Sequence, residues 1–153
     1  MSRALAVAFA VLFLSLDAQA AGLRERWSPF VSPEVWFAVP PFTRVDTLAD
    51  AHAWKVRGPG FSIRIELSPS VGDGDDSEPR ICYTAEPIAL GAGRAVLRVS
   101  RPHPRLDCPE NYASLYVPAA PGRPALYVSA RADEYADLDA VRAVVTTIHV
   151  TAF

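Results

Sequence analysis

Lysine is nearly absent from this sequence: Lys55 is the only one, and the other 14 of the 15 basic residues are arginine. We interpret this as a bias of codon usage, so arginines that fall close together carry less weight than usual. A charge excess is absent as well, because 17 acidic residues leave a formal net charge of −2. The composition therefore gives no electrostatic reason to expect nucleic acid or an anionic membrane surface as a partner.

Long apolar runs are equally scarce, and the clearest one lies at the N-terminus. It covers residues 4–16, follows a single arginine and ends at Asp17, after which Ala18-Gln19-Ala20 has the small-x-small pattern of a cleavage site. A membrane-spanning helix needs about 20 apolar residues. We therefore expect residues 1–20 to be a signal peptide cleaved after Ala20. Residues 21–153 would then form a single exported domain, periplasmic or extracellular, without a membrane span.

Cysteine occurs only twice, at Cys82 and Cys108. A metal site would call for a Cys-x-x-Cys pair or for histidines at regular spacing. Neither is present, and His103, between the two cysteines, has the prolines and arginines of an exposed loop around it. An even number of cysteines in a chain that leaves the reducing cytosol favours a disulfide. We predict a Cys82–Cys108 disulfide, with free or metal-bound thiols as the alternative.

Motifs that would indicate an enzyme or a cofactor are missing. The sequence has no Gly-x-Ser-x-Gly nucleophile elbow, no His-Glu-x-x-His and no Walker-type phosphate loop. The acidic run at 72–78 begins like a calcium loop, but Glu78 stands where glycine is needed and Thr84 where an acid is needed. The histidines lie in three different predicted elements: His52, His103 and His149. We therefore predict no catalytic, cofactor-binding or metal-ligating residue, and enzymatic activity is left uncertain and disfavoured.

Proline, in contrast, is abundant: 14 residues, about twice the usual share, divide the chain into short elements. Alternating apolar and polar residues predict strands beside turns. The clearest case is a hairpin over 53–68, with Gly58-Pro59-Gly60 as its turn. A second hairpin is predicted from 112–118 and 125–131. Further strands are predicted in three stretches: 35–39, 80–90 and 94–100.

A helix is predicted near the C-terminus, where Asp137 can act as its N-cap. Its apolar residues recur at helical spacing and should pack on the sheet: Leu138, Val141, Val144, Val145 and Ile148. The whole pattern predicts an α+β domain, in which a mostly antiparallel sheet of six or seven short strands carries this helix and one disulfide. Thr47 is a further candidate N-cap, for a short helical turn, because Asp50 follows three residues later.

The order of elements from residue 54 to residue 150 resembles the Mog1/PsbP-like domains of small exported bacterial proteins. The resemblance rests on the hairpin "WKVRGPGFSIRIEL", on the turn and strand that begin at Gly93-Arg94-Ala95, and on the helix that ends in Thr147-Ile148. It implies an α/β/α domain that acts as a binding or assembly factor. The family shares no catalytic site, so no functional residue transfers to this chain.

Aromatic residues provide the best functional signal. Four of them alternate out of phase with the predicted core, and two arginines are expected nearby; Trp, Tyr and Arg are the residue types favoured at binding hot spots. The alternative is that another segment covers this face and makes the aromatics part of the core. The candidate partner surface consists of Trp36, Tyr112, Tyr116, Tyr127, Arg98 and Arg131.

These observations predict a non-enzymatic, exported binding protein with a protein partner, and a toxin-neutralising immunity protein is one concrete form of that hypothesis. Two alternatives stay open: a small periplasmic hydrolase whose site is assembled from distant residues, and an accessory factor for envelope assembly. We expect no nucleic-acid partner and no cofactor.

Overall fold

The computed structural model describes residues 26–49, 52–68, 80–91, 93–101, 103 and 105–151. The expected signal peptide, the start of the mature chain at Ala21 and the acidic run at 72–78 lie outside these ranges. Within them the chain forms ten strands and one α-helix. These are β1 (Ser28–Val31), β2 (Val35–Val39), β3 (Arg44–Thr47), β4 (Ala53–Gly58), β5 (Phe61–Ser68), β6 (Tyr83–Leu90), β7 (Gly93–Ser100), β8 (Tyr112–Val117), β9 (Ala125–Ala132), α1 (Leu138–Val145) and β10 (His149–Val150).

Seven of these strands form one antiparallel sheet, in the order β3-β4-β5-β9-β8-β7-β6. Both predicted hairpins are confirmed: β4 pairs with β5, and β8 pairs with β9. The turn between β4 and β5 needs glycine, because Gly60 has a φ of 76°. A Cβ at Gly60 would also lie 2.5 Å from Oδ2 of Asp137.

A second sheet of three strands, in the order β1-β2-β10, contains the predicted strand at 35–39. Its inner side belongs to the core: Val35, Phe37 and Val39 are buried, and the Phe37 ring stacks on Phe30 at 4.9 Å between centroids. The short β10 pairs with β2, where His149 lies opposite Trp36. The chain thus forms a short strand, separated by three residues from the end of the helix at Val145.

The hydrophobic core lies between the seven-stranded sheet on one side and α1 with the three-stranded sheet on the other. All five apolar residues of the predicted helical stripe are buried at 1% exposure or less. Burial of a Val or Leu side chain is worth about 1.5–3 kcal/mol, whereas an isolated helix this short is unstable in water. Packing on the sheet therefore holds α1 in place.

The start of the helix differs from the prediction in one detail. Asp137 precedes α1, but its side chain makes no capping hydrogen bond to the helix. Instead Asp137 ends a 3₁₀ turn, Tyr135–Asp137, and its Oδ2 accepts a hydrogen bond from the backbone N–H of Glu134 at 3.2 Å. The carboxylate caps the preceding turn rather than α1, because the chain already has helical backbone angles at Asp137.

The predicted helical turn at Thr47 is wrong. Thr47 ends β3 and lies opposite Trp54, while Val45 lies opposite Val56. Residues 44–47 alternate between apolar and polar side chains in register with β4, so they can pair with it as a further strand of the sheet. This pairing outweighs the capping pattern that predicted a helical turn. The predicted fold class is confirmed: a mostly antiparallel α+β domain with one C-terminal helix and a Cys82–Cys108 disulfide. Among the described residues, no helix has the length and apolar character to cross a membrane.

Candidate functional site

The seven-stranded sheet has a face that points away from α1, here called the outer face. Its side chains alternate with the core residues along every strand, and the strand register aligns them in rows. One such row runs from Lys55 through Arg64, Ser129 and Ser114 to Arg98. The sheet covers six inter-strand spacings of about 4.8 Å, so the outer face is about 29 Å wide.

Four tyrosines lie on the outer face. Tyr116 and Tyr127 are direct partners in neighbouring strands. The hydroxyl oxygens of Tyr112 and Tyr127 are 3.4 Å apart, so the two side chains lean towards each other along the sheet. At the β6 side, the Tyr83 ring contacts Tyr112 edge to face, with 6.3 Å between the centroids. These rings form one continuous aromatic group rather than isolated surface residues.

Positive charge dominates the outer face. Among the described residues of this face, two are acidic and both are paired: Asp46 with Arg44 at 2.6 Å and with Arg57 at 3.1 Å, and Glu66 with Arg64 at 3.0 Å. Cations outnumber these acids by five, in a chain whose formal net charge is −2. The strand register places seven basic side chains on this face: Arg44, Lys55, Arg57, Arg64, Arg94, Arg98 and Arg131.

Five of the six residues of the candidate partner surface come together here. Tyr112 lies opposite Arg131, and Arg98 lies opposite Ser114, in strands that also carry Tyr116 and Tyr127. Tyr127 keeps 36% of its surface exposed, and Arg131 is exposed. Within the described part of the chain, no helix packs on this face, so these residues are not part of the hydrophobic core.

Trp36 is the sixth residue, and it lies elsewhere. It points outward from the three-stranded sheet, on the far side of the core, and retains 40% exposure. Its ring stacks on His149 with 5.3 Å between the centroids and an interplanar angle of 5°. Trp36 therefore belongs to a separate surface, because its strand pairs with β1 and β10 rather than with the seven-stranded sheet.

The disulfide fixes one corner of the outer face. Cys82 and Cys108 are bonded, with their Cα atoms 5.3 Å apart and Cys82 buried. Tyr83 follows Cys82 directly, and Cys108 lies four residues before Tyr112. The bond thus ties the start of β6 to the segment that leads into β8, next to the contact between these two tyrosines.

A histidine and an acid lie close together outside the outer face. Nδ1 of His52 lies 3.0 Å from Oε1 of Glu34 on the surface. The nearby Ser32 hydroxyl donates to the backbone oxygen of Val35 at 3.1 Å. The described residues contain no group of three or more His, Cys, Asp or Glu placed to share a metal ion.

Several basic residues of the outer face were not predicted as part of a binding surface, although the sequence pattern indicates their position. Arg57, Arg64 and Lys55 occupy the polar phase of the hairpin at 53–68, and Arg94 occupies the same phase of β7 as Arg98. A count of basic residues restricted to the polar phase of each strand would have found this excess. The overall composition hides it, because acidic residues elsewhere balance the charge.

Comparison with protein-family models, with curated proteins and with solved structures finds no match for this chain. The resemblance to Mog1/PsbP-like domains therefore stays a prediction.

Proposed function

We propose that this protein is an exported, non-enzymatic binding protein that holds a protein partner on its outer face. The observation that carries the proposal is the grouping of Tyr112, Tyr116, Tyr127, Arg98 and Arg131 on one side of one sheet. Tyrosine and arginine supply the contacts that dominate binding energies in protein interfaces, because they combine a large apolar area with hydrogen-bonding groups.

The dimensions of the outer face suit such an interface. At about 29 Å across the strands and roughly 20 Å along them, the outer face offers about 600 Å². A standard interface buries about 800 Å² on each partner, so the outer face with its rim has the required size. Strands also hold their side chains rigidly, which reduces the entropy lost on binding.

The charge of the outer face indicates an acidic partner. Arg131 and Arg94 make no ion pair with any described residue, and the two acids present are already paired with arginines. The positive charge of the outer face would speed the association of a partner with a net negative surface. The same charge would repel basic proteins, so it would also contribute to specificity. A toxin whose site is acidic would fit an immunity-type role, which is the most concrete form of the proposal.

Export is supported by the disulfide, since stable disulfides form in oxidising compartments, and by the signal-peptide pattern of residues 1–20. The alternative of a small hydrolase has less support. Among the described residues, the histidine–acid pair of His52 and Glu34 lies on the surface, and the Ser32 hydroxyl donates to a backbone carbonyl instead.

The test is capture of envelope proteins from the source organism on the immobilised, oxidised protein, repeated with matched variants. Tyr116→Ala/Tyr127→Ala and Arg131→Glu alter the outer face, while Arg26→Glu makes the same change of charge at the other end of the described chain. A true partner should bind the wild type and Arg26→Glu. It should lose at least tenfold in affinity with each outer-face variant, as expected when a hot-spot residue is removed.

A partner that binds all variants equally would contradict the proposal, because the outer face would then not be the binding surface. Binding of a single-stranded oligonucleotide to the outer face, with affinity comparable to that of any captured protein, would contradict the assignment of a protein partner. Circular dichroism of each variant establishes that a loss of binding is not a loss of the fold.

A further inference from the structure

A cavity of about 320 Å³ lies at one end of the fold, between β10 and the turns of two hairpins of the seven-stranded sheet. Its walls are mostly apolar, and its volume lies at the lower end of the range of about 300–1,000 Å³ for small-molecule sites. The described residues that line it do not belong to the outer face. The apolar part of the lining consists of Leu90, Val117, Pro124, Leu126, Ile148 and Val150.

Two residues with nitrogen-bearing side chains, Arg123 and His149, also line the cavity, together with two glycines. The backbone of Arg123 is held in a tight turn by reciprocal hydrogen bonds with Ala120, at 2.8 and 3.0 Å. Its guanidinium makes no ion pair within the described residues. The position of the side chain on a fixed turn places a positive charge beside an apolar cavity.

His149 is fixed from two sides. Its ring stacks on Trp36, and its Cε1 and Nε2 atoms approach Gly91 so closely that a Cβ there would lie 3.3 Å from each. Gly91 also lines the cavity. The ring edge that carries Nε2 is therefore turned towards the cavity wall, and its nitrogens have no hydrogen-bond partner among the described residues.

We propose that this cavity binds a small amphipathic organic anion, a carboxylate with an apolar chain or ring. The apolar part would lie against the aliphatic wall, where it leaves water. The carboxylate would meet the Arg123 guanidinium, whose paired N–H groups match its two oxygens. A hydrogen bond from His149 would orient it further. This site is independent of the outer face and does not rest on the function proposed above.

One substitution that the backbone tolerates would narrow the cavity. Gly93 lines the cavity, begins β7 opposite Leu90, and lies on the same side of its strand as the buried Leu97. A Cβ at Gly93 would meet only the backbone oxygen of Leu90, at an ordinary 3.7 Å, and no positive φ forbids it. Gly93→Val should therefore place two methyl groups at the cavity without straining the chain.

Two fluorescent probes with the same aromatic rings test the proposal. 8-Anilinonaphthalene-1-sulfonate carries an anionic group, and N-phenyl-1-naphthylamine lacks it. The oxidised protein should bind the anionic probe saturably and more tightly, and octanoate should displace it whereas octanamide should not. Arg123→Ala should weaken the anionic probe about tenfold, as expected for loss of a charged hydrogen bond, and should leave the neutral probe unchanged.

Gly93→Val should weaken the binding of both probes, while Arg26→Ala, which also removes one positive charge, should leave both unchanged. Three results would each overturn the proposal: no saturable binding to the wild type, equal affinity for the two probes, or anionic-probe binding that Arg123→Ala does not alter. Arg123 is exposed, so its variant should fold even if Gly93→Val does not.

Discussion

Arg142 on α1 holds Glu86 on β6 through two parallel hydrogen bonds, from Nε to Oε2 at 2.8 Å and from an Nη atom to Oε1 at 2.9 Å. This ion pair links the helix to the edge strand of the seven-stranded sheet. The hydrogen bonds from Arg142 lower the pKa of the Glu86 carboxyl below its ordinary value of 4.5; partial burial opposes this effect, and the positive charge of Arg142 adds to it.

Glu86→Gln should lower the free energy of unfolding at pH 7 by about 1 kcal/mol, the upper end for partly exposed ion pairs. The pKa of Glu86 is lower in the folded state, so the stabilisation is complete above pH 4.5 and is lost as the pH falls towards the lowered pKa. Urea denaturation at pH 7 and pH 3 should therefore show a difference between wild type and variant that shrinks in acid.

Asp139→Asn is the matched control, because Asp139 contacts the same guanidinium at 2.8 Å from the exposed side of α1. A helical pair of this kind contributes only about 0.3 kcal/mol. Equal losses for the two variants, or a pH-independent loss for Glu86→Gln, would contradict the account of the Glu86–Arg142 pair.

The disulfide should contribute about 3.5 kcal/mol, because it closes a loop of 26 residues and restricts the unfolded chain. A Cys82→Ser/Cys108→Ser variant should unfold at a correspondingly lower urea concentration than the oxidised wild type. The wild type measured with a reductant serves as the control and should match the variant. A loss below 1 kcal/mol would show that the bond is not important for stability.

Phe42 combines a left-handed backbone, φ 62°, with a side chain that is 95% exposed. This conformation costs an L-residue about 1–2 kcal/mol, and the exposed ring gains little from packing in return. Phe42→Gly removes this strain, and the greater conformational freedom of glycine in the unfolded chain offsets part of the gain. We therefore expect the substitution to stabilise the fold by about 0.5–1 kcal/mol. The change would appear as a higher melting temperature in calorimetry.

Gly60→Ala should destabilise the fold, because it places a side chain at a left-handed backbone position like that of Phe42. Gly60 has a φ of 76°, and a Cβ would press on the Asp137 carboxylate that caps the turn before α1. We expect a loss of about 1–3 kcal/mol. If Gly60→Ala proved neutral in the same calorimetric assay, the turn would be more tolerant than its geometry indicates.

Much of the fold could be predicted from local patterns. The hairpin at 53–68 was clear because its apolar residues alternate on both sides of a Gly-Pro-Gly turn, and α1 because its apolar residues recur at helical spacing. The placement of Thr47 failed for a physical reason: a capping pattern of four residues was outweighed by pairing with β4, a partner that the local sequence does not show.

The part of the candidate surface that lies on the hairpin of β8 and β9 could be predicted from the sequence. Tyr116 and Tyr127 share a face because they are on the polar phase of paired strands, and that follows from the sequence once the hairpin is recognised. Trp36 satisfied the same alternation, yet it lies in the other sheet. Sheet membership is set by long-range pairing, so alternation alone could not separate Trp36 from the tyrosines.

Hydroxyl-radical footprinting of the partner complex tests the central claim most directly, because it labels exposed aromatic side chains at both surfaces in one experiment. Tyr127 on the outer face and Trp36 on the three-stranded sheet are 36% and 40% exposed, and both should react in the free protein. In the complex, we predict strong protection of Tyr127 and unchanged labelling of Trp36. Protection of Trp36 with Tyr127 still reactive would contradict the assignment of the outer face as the binding surface.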